Sequence, residues 1–155
     1  MSWYPHKTVA TVVEQAGRFL MVEERADGAL VINQPAGHLE AGETLIQAAQ
    51  RETLEETGWE VEVTHFLGLY HYFSPASGLT YIRSCFIASA QQQFPQRPLD
   101  RDIERCLWLR PEEIQALGPR LRSPMVWQAV ADYLQGIRYP LQLIHSGQLP
   151  RSPAA

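Results

Sequence analysis

The sequence predicts an α/β fold in which a mixed β-sheet is flanked by helices, and three observations predict it. Apolar runs of strand length stand on both sides of a segment with helical spacing, and a second helical segment closes the series. The chain has 155 residues, enough for one core of ordinary size with little left for a second. Its 45% hydrophobic, 10% aromatic and 19% charged residues are globular usage, far from the charge-rich, aromatic-poor signature of disorder. The expected organisation is one domain over residues 1–144 and an irregular tail over 145–155.

The elements follow in order. Three β-branched and apolar runs come first, Thr8 to Val13, Phe19 to Glu24 and Ala29 to Asn33, punctuated by turn formers at Gln15-Ala16-Gly17 and Ala26-Asp27-Gly28. From Thr44 the period changes. Thr44 and Gln47 have the spacing of a capping box, in which hydroxyl and amide each satisfy an orphan backbone donor. Leu45, Ile46, Ala49 and Thr53 recur on one side, and Gly58 stands where a left-handed residue ends a helix, so a helix is expected at Leu45 to Thr57. Two long strands, Val61 to Phe73 and Leu79 to Ala90, are joined by the turn formers Ser74 to Gly78. A short run, Cys106 to Leu109, leads to Pro111, which suits the first position of a helix over Glu112 to Leu117. From Pro124 to Leu134, Val126, Ala129, Val130, Tyr133 and Leu134 keep the spacing of a core-facing helix. Beyond it, Tyr139 to Ala155 carries three prolines and reads as irregular.

Charge narrows the function. The net charge is −4 and Lys7 is the single lysine, so the clustered basic patch of a nucleic-acid binder is absent. A small polyanionic substrate remains open, because a bound divalent cation can supply the missing positive charge. Cys85 and Cys106 have no second pair and no histidine cluster near them, and they read as free thiols. The first residues lack the apolar stretch of a signal peptide and no 18-residue apolar run occurs, so the expectation is a soluble cytoplasmic protein with no membrane partner.

The informative stretch is Gly37-His38-Leu39-Glu40-Ala41-Gly42-Glu43 and, in the helix after it, Arg51-Glu52-Thr53-Leu54-Glu55-Glu56-Thr57-Gly58-Trp59. At about 100° per residue, Glu52 and Glu56 stand about 40° apart and Glu55 about 60° to the other side of Glu52. All three carboxylates share one sector that borders the apolar face. Crowded carboxylates raise one another's pKa unless something positive joins them, and a hard divalent cation with oxygen ligands meets that need. The alternative is a solubilising helix face with Arg51 as ion-pair partner. On the residues alone both readings stand.

Gly37, Glu43, Arg51, Glu52, Glu55, Glu56 and Gly58 match every fixed position of the Nudix box, and the segment resembles that family. One departure is Thr53, where the box prefers an aliphatic residue. Pro5-His6, Asn33 to Glu40, Leu121 to Pro124 and Arg138 to Leu141 extend the similarity toward the bacterial phosphatase NudJ subgroup. The resemblance implies an α/β/α sandwich and a hydrolase of phosphoanhydride bonds that uses Mg²⁺, with Mn²⁺ as a substitute. It implies small-molecule substrates: nucleoside di- and triphosphates and thiamine-type pyrophosphates, including thiamine pyrophosphate and hydroxymethylpyrimidine pyrophosphate. Alternatives are another linked nucleoside diphosphate, such as a sugar nucleotide or dinucleoside polyphosphate, and a non-catalytic nucleotide-binding regulator.

The same resemblance implies roles. Glu52 and Glu56 are the principal metal ligands, with Glu55 a third and the Gly37 carbonyl a further oxygen. The general base is Glu52 or Glu55, with Glu104 an alternative from a neighbouring loop. Glu43 and Arg51 pair to hold the loop against the helix, with Gly58 structural. Glu40 is either an outer metal contact or a solvated carboxylate. By their positions alone, not by the resemblance, Gln34, His38 and Arg83 are candidates for substrate contact, against loop packing for His38 and an internal ion pair for Arg83. Trp3, Tyr70, Tyr72 and Phe73 either stack on a heterocycle or belong to the core. The oligomeric state is monomer or homodimer.

Overall fold

A computed structural model describes residues 2–151. Its elements are β1 (His6–Gln15), β2 (Arg18–Ala26), β3 (Ala29–Asn33), β4 (Ala36–His38), α1 (Leu45–Thr57), β5 (Trp59–Ser74), β6 (Leu79–Gln93), β7 (Ile103–Leu109), α2 (Pro111–Leu117) and α3 (Pro124–Leu134), with single 3₁₀ turns at Gly118–Arg120 and Leu141–Leu143. The first two hairpins close on Ala16-Gly17 and Asp27-Gly28, both residues of each pair having positive φ (52° and 78°, 51° and 80°). That backbone matches the right-handed twist of the flanking strands. Helix α1 is capped as the sequence predicts. Thr44 Oγ1 accepts from the Gln47 N–H (3.1 Å), Gln47 Oε1 accepts from the Thr44 N–H (2.9 Å), and Gly58 is left-handed with its N–H on the Leu54 carbonyl.

The strands form one seven-stranded mixed sheet ordered β3-β2-β1-β6-β5, with β4 paired to β1 and β7 to β2. Only β1 and β6 run parallel; β1 changes partner along its length, Thr8 to Ala10 pairing with β4 and Glu14 to Gln15 with β2. Alternation along the strands sends side chains to two apolar layers. Val9, Val13, Leu20, Phe66 and Phe86 pack with Ala48 and Ala49 of α1 on one face. Ala10, Val12, Phe19, Met21 and Cys85 pack with Ile114 of α2 and Val126, Ala129 and Val130 of α3 on the other. This is the expected α/β/α sandwich. Cys85 and Cys106 are free, and no helix of the described residues is long and apolar enough to cross a membrane.

Three features depart from the sequence expectation. Strand β4, three residues behind Pro35, is too short to show a period, and pairing with β1 creates it. Strand β7 begins at Ile103, three residues before the expected Cys106, because its polar half pairs with Glu23 and Glu24. The segment from Tyr139 is not wholly irregular: Tyr139 exchanges both backbone hydrogen bonds with Phe66 (2.8 and 2.9 Å), and Leu141–Leu143 form a 3₁₀ turn. In the expected tail, residues 145–151 carry no helix or strand, whereas residues 152–155, like residue 1, lie outside the described residues.

Thr53, the departure from the box, is fully buried on the α1 side of the sheet. Its hydroxyl donates to the Ala49 carbonyl (2.7 Å) and meets the Thr11 hydroxyl of β1 at 2.8 Å. A matching hydroxyl across the interface therefore accommodates the polar atom. Thr53→Val is expected to lower stability by about 1–3 kcal/mol, because Thr11 is left buried without a partner, and the Thr11→Val/Thr53→Val pair to recover most of that loss. Chemical denaturation of the single and double variants checks this, and additive losses would count against the pairing.

Candidate active site

The site begins with a missing side chain. Gly37, in β4 opposite Val9, presents its Cα to the Glu52 carboxylate so closely that a Cβ built there would run into the carboxylate carbon and both oxygens. Its φ is not in the left-handed region, so close approach rather than backbone conformation requires glycine. One turn further along α1, Glu56 is buried at 6% exposure and accepts the Ala36 N–H at 2.8 Å. Two consecutive residues of β4 thus hold two carboxylates of α1.

Arg51 ties the loop to the helix. Its guanidinium donates to both oxygens of Glu43 (2.8 and 2.9 Å), to Glu52 (2.9 Å), to Glu55 (3.1 Å) and to the His38 carbonyl (3.0 Å), with Glu40 at 3.6 Å. The Arg51 bonds hold the Glu43 carboxyl below the usual range. The loop after β6 is drawn in by Asp100, whose N–H donates to the Glu55 carbonyl (3.0 Å). Carboxylate oxygens of Glu52, Glu55 and Asp100 all lie within 4.8 Å of one another.

The electrostatics of this corner call for a cation. Burial pushes the Glu56 carboxyl up to about 9, and Glu24, Glu52 and Asp100 push the same way against the Ala36 hydrogen bond. Burial also raises Glu52, although Arg51 opposes it. A hard divalent ion with carboxylate and carbonyl ligands fits the donor set of Glu52, Glu55, Glu56, Asp100 and the Gly37 carbonyl.

Glu52 and Glu56 open on a cavity of about 340 Å³ that Gly37, His38, Thr8, Glu24, Asn33, Arg83, Arg122, Tyr70, Tyr72 and Tyr81 also line. Arg83 donates from Nη1 to Gln34 Oε1 (3.0 Å) and from Nη2 to Asn33 Oδ1 (3.1 Å). Both amides are fixed from behind, Gln34 Nε2 donating to the Val126 carbonyl (2.7 Å) and Asn33 Nδ2 to Glu24 (3.0 Å). Arg122 donates to the same Glu24 oxygen at 3.1 Å. At the mouth, ring nitrogens of His6 and His38 lie 3.3 Å apart, and the His6 ring stands 5.7 Å from Tyr81 and 6.5 Å from Tyr4. Burial, with His6 and Arg122, lowers the His38 pKa.

The structure brings Gly37, Glu52, Glu56, Glu40, His38 and Arg83 to one cavity and sets Glu55 beside it with Asp100. Three expectations change. Glu104 does not line the cavity; it points from β7 to an exposed pair with Arg25 at 2.6 Å. Gln34 is 1% exposed and does not line the cavity, because both ends of its amide are spent on Arg83 and Val126. Arg83 has amide partners where an internal ion pair was the alternative. Among the aromatics, Tyr70 and Tyr72 line the cavity, with Tyr70 also donating to Asp132 (2.7 Å), whereas Phe73 and Trp3 are exposed outside its lining. Sequence reasoning missed Asp100, Glu24, Asn33 and Arg122. Asp100 carried a weak signal, an acidic residue in a proline-bearing loop between strands; the others depend on strand pairing.

Comparison with known proteins places this geometry. The NUDIX domain family model matches residues 4–128. Phosphatase NudJ of Escherichia coli K12 is 44% identical over 140 residues, 90% of either chain. A NUDIX hydrolase from Nitrosomonas europaea superposes with a TM-score of 0.89 at 42% identity, covering 93% of this chain and 98% of that one. The MutT NUDIX hydrolase of Burkholderia pseudomallei, at 20% identity and a TM-score of 0.70, shares the fold.

Proposed function

The chain belongs to the NUDIX domain family and is a hydrolase of phosphoanhydride bonds, and on that premise we propose that it is a Mg²⁺-dependent phosphatase of nucleoside di- and triphosphates and thiamine-type pyrophosphates. One observation carries the reading: Glu52, Glu56, Gly37 and Arg83 line one cavity, with Gly37 packed directly against the Glu52 carboxylate. The similarity to proteins named Phosphatase NudJ supports phosphate removal over other outcomes. Mn²⁺ substitutes for Mg²⁺, and the free cysteines suit a cytoplasmic protein.

In this reading Glu52, Glu55, Glu56 and the Gly37 carbonyl hold the metal, with Asp100 beside them. Bound Mg²⁺ supplies positive charge to the phosphoryl oxygens and acidifies water. Glu52 or Glu55 takes the proton of the attacking water. Arg51 keeps these carboxylates apart in fixed orientations, and His38 contacts the substrate at the cavity mouth.

A panel of nucleoside di- and triphosphates, thiamine pyrophosphate, hydroxymethylpyrimidine pyrophosphate, sugar nucleotides and dinucleoside polyphosphates tests the proposal, scored separately for phosphate and pyrophosphate. Mg²⁺-dependent phosphate release from the first two groups is expected. Preferred cleavage of the linked nucleotides would replace the substrate assignment, and undiminished turnover in chelator would sink the metal dependence.

A further inference from the structure

Arg83 carries a half-buried charge, on the lining of the cavity, that the protein itself leaves without a counter-ion. Of the five N–H groups of its guanidinium, two are taken by the neutral amides of Gln34 and Asn33, which leaves three with no partner among the described residues. No carboxylate among those residues pairs with it, although Glu24 stands one hydrogen bond away; that carboxylate is engaged by Asn33 and Arg122. Burial is the leading cause lowering the Arg83 pKa, as expected of a desolvated cation. A half-buried cation facing a cavity is matched by an anionic ligand, and a neutral heterocycle would bring none of the missing negative charge.

Its place in the sheet fits an anion as well. His38, Thr8, Arg83 and Tyr70 form one cross-strand row over β4, β1, β6 and β5, and all four line the cavity. Strand β6 lies two strand spacings, about 10 Å, from β4, whose Gly37 faces Glu52. The amides behind Arg83 are locked by Val126 and Glu24, so its planar fork is set before any ligand arrives.

We propose that Arg83 is a second anion anchor of the cavity, gripping through its fork a phosphoryl group other than the one held beside Glu52 and Glu56. The inference rests on the hydrolase reading and deepens it: of the two or more phosphoryl groups that any phosphoanhydride substrate carries, one meets Arg83, which selects against monoesters. Gln34 and Asn33 act through Arg83 as positioning residues.

Calorimetry with methylenediphosphonate, in chelator and with Mg²⁺, tests it on the full chain. Arg83→Gln is expected to weaken binding about tenfold or more in both conditions, the loss of a charge-assisted pair. In turnover, KM for a nucleoside diphosphate rises more than kcat falls. A folded Arg83→Gln protein that binds the diphosphonate as the wild type does would overturn the anchor. Should that variant fail to fold, Arg83→Lys decides: it keeps the charge and loses the fork, so a loss of about threefold or more supports the anchor and a smaller one overturns it. Arg83-dependent binding without turnover of any phosphoanhydride would sink the hydrolase reading and leave the anchor; turnover with Arg83-independent binding would do the reverse.

Discussion

Glu56→Gln is expected to slow hydrolysis about 100-fold or more, because several kcal/mol of charge stabilisation depend on holding the cation, while making the metal-free protein more heat-stable at alkaline pH. The amide oxygen of glutamine still accepts the Ala36 N–H, so the fold has no reason to change. The ionisable group, however, is gone. Glu56 shifts from an ordinary 4.5 to about 9 on folding, chiefly through burial. Between those values the folded chain keeps a proton that the unfolded chain has released, so stability is full below the lower value and declines as pH rises through the higher one. Differential scanning calorimetry in chelator from pH 5 to 9 therefore gives a falling melting temperature for wild type and a flatter profile for Glu56→Gln.

Metal completes the same argument. On the proposed reading Mg²⁺ would bind the native state and displace that proton, so it is expected to raise the wild-type melting temperature most at high pH, as a ligand selective for the folded state does. Glu56→Gln loses most of that response. The Glu52 carboxyl is also raised by burial, and Glu52→Gln is expected to share the rate loss of about 100-fold. Wild-type turnover by both variants, or an unchanged pH profile for Glu56→Gln, would overturn the assignment of these carboxylates.

What the sequence made legible follows from how local each feature is. Thr44, Gln47 and Gly58 define α1 by contacts within a turn or two, and the helix ends where those residues stand. Glu52 and Glu56 share a face by helical spacing alone. Gly37 and Arg51 were reachable because the box writes a long-range contact into a fixed spacing. Other features are set by strand pairing between distant segments. Glu104 sits four residues before Trp108, yet its direction depends on the register of β7 with β2, which turns it to Arg25. Glu24, Asn33 and Arg83 meet because β2, β3 and β6 arrive at one cavity, and no periodicity within any strand encodes that meeting. Gln34 belongs to the right neighbourhood but does not reach the cavity, since its amide supports the cation that faces it.

Gly37→Ala is expected to abolish most activity through a side chain that the substitution does not alter. Alanine can adopt the Gly37 backbone, whose φ is not left-handed, so the conflict is confined to the added methyl group and the Glu52 carboxylate. The strand pairing of β4 with Val9 and its neighbours resists movement; the end of a glutamate does not. Glu52 therefore swings away, and a displacement of about 1 Å in a catalytic group suffices for a rate loss of about 100-fold. Stability falls by about 1–3 kcal/mol, the usual cost of overpacking a filled site. The two effects share one cause, which a double-mutant cycle isolates. Once Glu52→Ala has emptied the space, Gly37→Ala should add neither a further rate loss nor a further stability cost, because nothing remains for the methyl group to displace. Independent, multiplying losses would show that Gly37 serves some purpose other than making room for Glu52, and the account of a carboxylate held against bare backbone would have to be given up.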